Sequence, residues 1–360
     1  MPQTTPSDHD VRADEFHVRD ALPATAATAA AARKRVPPEI LARCTRLDPV
    51  RSLLSTIDTF GFLLVLGVVG VAGGTLVWPA VLVVILMPAA QHRLAILSHE
   101  ATHYRLFKTR ALNDFTGWLA SALIGISVYG YRVIHRIHHN HLYEKIDPDM
   151  PLQAGYPRGR AYLFRKLGKD LLGVTAWKNY AYFFGAPAMN RDTGGRGGKN
   201  GDPLADTTPA LRRQALVDRW RVAAFQLALM GALLWAGWLH YYLVLWVLPL
   251  LTLYQAVLRL RAVCEHGAPG NTATPLTAAR TNVELPLLAR FYLFPHHVNY
   301  HIEHHLYPAV PHYHLPRLHT ELKQAGLLQG AEVRAFRSTL ARVFADPPPS
   351  AQPRTPRTAT

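Results

Sequence analysis

Two long apolar stretches dominate the pattern of hydrophobic and polar positions. Residues 59–92 and 222–258 contain no Lys, Arg, Asp or Glu, giving uninterrupted runs of 34 and 37 residues. A single helix of the first length would measure about 51 Å, against a bilayer hydrocarbon core of about 30 Å. Each run must therefore fold back on itself. Gly73-Gly74 and Trp78-Pro79 mark the first turn, and Gly237 to Tyr242, with Trp238, His240 and Tyr241, mark the second. Turn-forming residues and aromatic anchors belong at such positions. The pattern predicts an all-α integral membrane fold with four crossings in two hairpins, at about 57–76, 79–98, 221–239 and 241–260. Residues 115–131 are also uncharged but only about 25 Å long as a helix, and are predicted to lie along the interface.

The flanks complete the domain map. Residues 1–50 are polar, Ala-rich and Pro-punctuated, with no apolar signal-peptide core, and are expected to form a disordered cytoplasmic tail. The membrane domain is placed at 51–325, followed at 326–360 by a C-terminal helix and a Pro/Thr-rich disordered end. The turns at 72–80 and 237–242 lack Lys and Arg, whereas the segment 99–220 and both ends carry many. The positive-inside rule then places the termini and the central segment in the cytoplasm.

Composition sharpens this picture in two ways. Lys+Arg 39 against Asp+Glu 24 gives +15, but no zinc-finger, RNP or basic-zipper pattern accompanies it, so nucleic acid is not an expected partner. Two cysteines, Cys44 and Cys264, exclude a disulfide framework and any thiolate-rich metal site. Histidine is the anomaly. Of 19 residues, 15 fall within 92–141 and 296–319.

Their spacing suggests metal ligation. His99 and His103 are four apart in HEATH; His135, His138 and His139 stand at i, i+3, i+4 in HRIHH; His301, His304 and His305 repeat that spacing in HIEHH. Residues three and four apart share one helix face. With His266 after the last crossing, the clusters are expected to meet at the cytoplasmic membrane face, forming a helical cap over it. That is too many imidazoles for one ion, and two fit. Thiolate-free imidazole sites suit Zn, Cu, Fe or Ni, and dioxygen chemistry favours iron. HEATH also matches the HExxH of zinc proteases, but that reading leaves HRIHH and HIEHH unused. Glu100-x-x-His103 is half of a carboxylate-bridged di-iron signature whose other half is not evident. A histidine-rich metal transporter would place its ligands in mid-membrane.

Three such boxes split around two hydrophobic hairpins resemble the membrane fatty acid desaturase superfamily. Flanking residues look similar as well: Asn113-Asp114, Asp147-Pro148-Asp149 and Leu306-Tyr307-Pro308. The resemblance covers roughly residues 50–325. It implies two iron ions held by His99, His103, His135, His138, His139, His266, His301, His304 and His305. It also implies O2 as co-substrate and two electrons from a separate ferredoxin or cytochrome b5. The substrate it implies is a membrane lipid or lipid-linked acyl chain, into which a double bond is introduced. Box three begins with His301 rather than Gln, and no HPGG haem motif is present, unlike front-end desaturases. Glu303 looks more like acyl-lipid desaturases and carotenoid hydroxylases, so a lipid or carotenoid hydroxylase or ketolase is the alternative. Stearoyl-CoA desaturases use an Asn one turn before the extra His; here that residue is Ala262, and Asn299 is the candidate replacement.

Glu100, His141, Asp147, Asp149, His297 and Glu303 are expected to orient ligand imidazoles by hydrogen bonding, and His296 stands beside His297. His312, His314 and His319 have no ligand spacing. Arg158, Arg160, Arg165, Lys166 and Lys169 either dock an acidic donor or contact phospholipid headgroups. Residues 193–203 read as a flexible loop, and His92 and Arg93, inside the second crossing, are a functional hint.

Overall fold

The structure is a computed structural model that describes residues 36–183 and 207–347. The expectations for residues 1–35, for the loop 193–203 and for the chain beyond 347 fall outside these segments. Within them the protein is mostly helical. Residues 36–50, expected as part of a tail, instead contain helix α1 (Pro38–Thr45) and the start of α2 (Pro49–Ala72). The correction has a packing cause: Val36 and Cys44 are buried against Ile302, Leu306 and Leu318.

Asp48 and Pro49 start α2. Asp48 Oδ1 accepts from the amides of Val50 and Arg51, and Pro49 sits where a missing N–H costs nothing. After the turn at residues 73–76, α3 (Val77–Thr102) runs back antiparallel to α2. α8 (Pro209–Trp235), capped by Thr208, and the helical run Leu239–His266, called α9, form a second hairpin across Ala236–Trp238. α9 is not uniform. It holds a π-helical stretch at Tyr242–Val247, and Thr252 leaves helical geometry at φ −121 and ψ −91.

Three helices, α2, α3 and α9, are long and apolar enough to cross a membrane. α8 begins with Arg212, Arg213, Asp218, Arg219 and Arg221, which leaves only Val222–Trp235 uncharged. Only 17% of the most apolar window of α2 is buried, so most of its hydrocarbon would face water in a soluble protein. Trp78, Trp235 and Trp238 are exposed at the two hairpin turns, as expected of interfacial anchors.

The uncharged stretch 115–131 is not one helix. α4 (Arg110–Leu123) and α5 (Val128–Asn140) meet at 96°, because Gly125 takes φ +74 and the Ser127 hydroxyl accepts from Gly130 N to start a new helix. α6 (Arg160–Leu171) and α7 (Ala176–Phe183) follow. Beyond α9 come α10 (Leu287–Tyr292), α11 (His301–Leu306), α12 (Leu315–Gln324) and α13 (Phe336–Val343). One small departure from the all-α expectation is a parallel pair, β1 (Thr281–Val283) with β2 (Val333–Ala335), in register Thr281↔Val333. It ties the segment between α9 and α10 to the segment before α13.

Candidate metal centre

Nine histidines converge in two sets. His99 and His103 at the end of α3, His135 and His139 of α5, and His304 of α11 form one. His138 of α5, His266 at the end of α9, and His301 and His305 of α11 form the other, and within each set the candidate ligand atoms lie within 4.8 Å of one another. Helical spacing explains the division. His135 and His139 share one face of α5 while His138 points to the other set, and in α11 His301 and His305 share a face while His304 looks across. The sets adjoin: the rings of His139 and His305 stack with centroids 4.3 Å apart.

Nitrogen-to-nitrogen distances test whether an ion fits. Nε2 of His135 is 2.9 Å from that of His103 and 3.0 Å from that of His139, which is 3.0 Å from Nε2 of His304. In the second set Nε2 of His301 lies 2.7 Å from His266 and 3.2 Å from His305. Metal–imidazole bonds of about 2.0–2.1 Å at right angles put neighbouring nitrogens about 3 Å apart. A neutral imidazole has one donor, so five rings converging on one point cannot satisfy each other by hydrogen bonds alone. Nε2 of His99 is buried with no hydrogen-bond partner, as a nitrogen reserved for a metal would be. Burial first, then the neighbouring imidazoles, push His135, His139, His301, His304 and His305 well below the usual imidazole range. These rings are therefore neutral, the form that ligates. The donor set fits two ions that accept imidazole.

The groups behind the rings are less uniform than the sequence suggests. Asp147 is the strongest orienting carboxylate: His138 Nδ1 donates to its Oδ1 at 2.9 Å, and Tyr143 N, Asp149 N and Gln153 Nε2 donate to it as well. Asp149 lies 3.4 Å from the same His138 nitrogen. Burial works against charge on His138, but Asp149 and Asp147 outweigh it and lift this imidazole to about 9, far more basic than the five rings above.

Other expected supports face elsewhere. Glu303 accepts from Thr281 Oγ1 and from His319 Nδ1, both at 2.5 Å, so it braces the back of α11 rather than a ligand. Glu100 takes the backbone N–H of His312 at 2.9 Å and lies 3.5 Å from His99 Nδ1. His141 bonds Glu144 and belongs to neither set. His297 is exposed at the surface, while His296 turns inward to Thr59 Oγ1 at 3.0 Å. Asn299 donates its side-chain amide to the Asn282 carbonyl at 2.9 Å.

Several supporting groups escaped the sequence reading. Glu265 lies 3.7 Å from His301 Nδ1 and is held by Arg261 at 2.9 Å. Arg280, fully buried, donates to the carbonyls of Cys264 and Ala268, and Asn282 also donates to Cys264. Together they satisfy the C-terminal carbonyls of α9 where His266 sits. The His266 ring is fixed by Nδ1 at 3.2 Å from the Ala278 carbonyl, and the Tyr143 hydroxyl donates to the His266 carbonyl. Charged residues at the end of an otherwise apolar span, Arg259, Arg261 and Glu265, were the available signal.

A cavity of about 50 Å³ lies near the centre, lined by Ala95, Ile126, Tyr131, Tyr254, Leu258 and Arg261 among others. Ala95 is one turn before His99, and the Tyr131 ring lies 5.1 Å from that of His135. None of the nine histidines lines the cavity; Tyr131 of its wall stands between it and the first set.

The fatty acid desaturase family model matches residues 60–337, and the chain belongs to that family. It is similar to the dihydrorhizobitoxine desaturase of Bradyrhizobium elkanii, at 25% identity over 65% of this chain and 65% of that protein. It is 25% identical to the zeaxanthin 4-ketolase of Chlamydomonas reinhardtii, over 66% of this chain and 43% of the relative. A Synechocystis sn-1 acyl-lipid omega-3 desaturase (ferredoxin) is 26% identical over 64% of this chain and 63% of its own length. The chain thus matches less than two thirds of the length of each of these relatives.

Proposed function

We propose that this protein is an O2-dependent acyl-lipid desaturase that uses two iron ions and two electrons from a separate donor. The observation that carries the reading is the division of nine histidines, eight buried and His139 partly so, into a set of five and a set of four. His99, His103, His135, His139 and His304 hold one ion, and His138, His266, His301 and His305 the other. Two irons with O2 supply the oxidising power that an unactivated C–H bond demands, which no side chain offers.

The chain's own residues do the rest. Burial of every ring except that of His139, which is partly buried, keeps water from the centre. Asp147, the Ala278 carbonyl and Glu265 hold His138, His266 and His301 in register. The apolar cavity beside Tyr131 and Leu258 receives the alkyl chain, and its walls fix which carbon approaches the first set. α8 is the fourth crossing: its short uncharged stretch is extended by Arg219 and Arg221, whose stems reach toward the interface beside the exposed Trp220. The histidine centre and both chain ends face the cytoplasm. The donor, of ferredoxin or cytochrome b5 type, docks on the basic residues of the cap, among them the exposed Arg158, Arg160, Arg165 and Lys169. The similarity to ferredoxin-using acyl-lipid desaturases supports a ferredoxin.

The similarity to a ketolase favours one second reading, hydroxylation or ketolation of a lipid or carotenoid on the same centre. A zinc protease is less well supported, because Glu100 is engaged with the His312 backbone rather than facing a free position. The test is metal content of the purified protein together with lipid profiling of a heterologous host that co-expresses a ferredoxin. About two irons per chain and new unsaturated acyl chains are the expected result. New hydroxyl or keto products would select the second reading, and one zinc per chain that depends only on His99 and His103 would overturn both.

A further inference from the structure

On the opposite side of α3 from the substrate cavity lies a second, more open cavity of about 210 Å³. Its polar lining is Asp58 of α2, Arg93 of α3, Arg290 of α10 and His296; Leu287 and Phe291 complete it. Ala95 faces the first cavity and Arg93 this one, two residues apart and so about 200° around the helix. No residue of the second cavity belongs to either histidine set. Whatever occupies it is not the chain being oxidised.

Its position is interfacial. Arg93 precedes His99 by six residues, about 9 Å along α3, on the membrane side of the metal centre. Leu287 and Leu288 of α10 are 81% and 71% exposed, an apolar pair with no protein cover. Leu54 and Ile57 of α2 are exposed as well. Arg290 stands one turn after Leu287 on the same face, is exposed, and makes no side-chain hydrogen bond or ion pair among the described residues. An arginine one turn from bare leucines meets a phospholipid with its charge at the phosphate and its neighbours along the acyl chain.

The cavity also carries a negative charge. Asp58 Oδ2 lies 3.4 Å from Arg93 Nε and 3.9 Å from His296 Nε2, and its side chain is 58% exposed. Arg93 is spoken for by the protein: it donates to the Ala89 and Phe291 carbonyls, and its guanidinium lies 5.0 and 4.9 Å from the ring centroids of Phe62 and Phe291. That leaves an uncommitted cation, Arg290, and an accessible carboxylate, Asp58, on the rim of one cavity. The backbone is strained to build it: His296 and His297 both take positive φ, 53 and 60, which costs energy for residues other than glycine. The strain turns His296 into the cavity floor.

We propose that this cavity binds the headgroup of a primary-amine phospholipid, a phosphoethanolamine, as a resident lipid of the surrounding leaflet. The phosphate pairs with Arg290, whose planar fork suits it, and the ammonium donates to Asp58. The lipid tails lie along Leu287, Leu288 and Ile57. The bound lipid anchors α10 and thereby the segment that leads into α11 and its three ligands.

The test uses the full-length, iron-loaded protein purified in mild detergent. It is exchanged into nanodiscs of phosphatidylethanolamine, phosphatidylcholine or phosphatidylglycerol, with retained lipid read by native mass spectrometry after delipidation. Wild type should retain one phosphatidylethanolamine per chain. Arg290→Gln should lose all three lipids and Arg290→Lys should keep the charge and the binding. Asp58→Asn should still retain phosphatidylglycerol but lose its preference for phosphatidylethanolamine by about tenfold, since a charge-assisted contact is removed. Iron content, unchanged in each variant, separates loss of the lipid from loss of the fold. Retention by Arg290→Gln equal to wild type, an unchanged preference in Asp58→Asn, or no lipid retained by wild type would each overturn the proposal. None of these outcomes depends on which lipid the enzyme oxidises.

Discussion

Asp147 shows how one carboxylate can set the quality of a metal ligand. It accepts from His138 Nδ1, two backbone amides and Gln153, so the His138 ring is held in one orientation. Its removal leaves His138 in place but loose. Asp147→Asn should therefore weaken iron binding to the second set, or lower turnover, by about 10–100-fold. Iron titration of the metal-stripped protein checks it, and unaltered affinity and turnover would sink the role. Glu303 reads identically in the sequence, one acid beside a histidine box, yet braces Thr281 and His319 behind α11. Glu303→Gln is expected to keep about two irons per chain while lowering the melting temperature, since a buried charge-assisted bond is weakened. An iron loss equal to that of Asp147→Asn would contradict this assignment. Eight of the nine histidines were legible because helical spacing is local information, whereas His266 as a ligand came only with the family resemblance. Their supports were not, because Glu265, Arg280 and His319 reach the site through contacts that no short window of sequence contains.

At the scale of elements, the two ends of the first box are fixed by how closely α4 approaches α3. A Cβ placed on Gly117 would lie 2.2 Å from the Cβ of Ala101, between His99 and His103. The absent side chain is what lets the two helices touch there. Asn113 spans the same gap from the other side, donating to the Ala101 carbonyl and accepting from Leu106 N. Gly117→Ala should force the helices apart and destabilise the protein by about 1–3 kcal/mol, the usual range for overpacking. It should also reduce iron at the first set, because His99 and His103 shift with α3. Thermal melting and iron content measured on the same sample decide the matter; a fully loaded variant of wild-type stability would show the contact to be slack. The hairpin turns were readable from Gly, Trp and Pro, and the helical bounds of α2 and α3 follow from Asp48-Pro49 and from the turn at 73–76. The 96° bend between α4 and α5 was not, since a lone Gly125 inside an apolar stretch carries little signal until the Ser127 cap is seen beside it.

For the molecule as a whole, the metal centre is where distant parts of the chain are joined. Its ligands come from α3, α5, α9 and α11, which span residues 99 to 305 and share no continuous backbone ladder. The apolar helices pack through Leu66, Val83, Leu94 and Leu250, and a separate cluster joins α1, α11 and α12. The histidines lie between these two cores, so an ion held there couples them. Neutral imidazoles crowded nitrogen to nitrogen at about 3 Å gain little from each other, and the unfolded chain offers no such site. On the proposed reading, iron binding is therefore folding free energy. At a hundredfold excess over its dissociation constant, one ion adds about 2.7 kcal/mol, which for a chain of this size raises the melting temperature by about 3–4 °C. Chelation should lower the melting temperature by that amount for each ion removed and expose the segment 141–160 to protease, because Tyr143 and Asp147 are anchored through His266 and His138. His304→Ala disables only the set of five, so two separable sites predict that it retains about one iron and roughly half the stabilisation. His138→Ala should do the same from the other side. Differential scanning fluorimetry in detergent, with metal content measured in parallel, distinguishes two separable sites from one shared cluster. If either variant loses all metal and all of the stabilisation, the two sets act as a single cooperative centre.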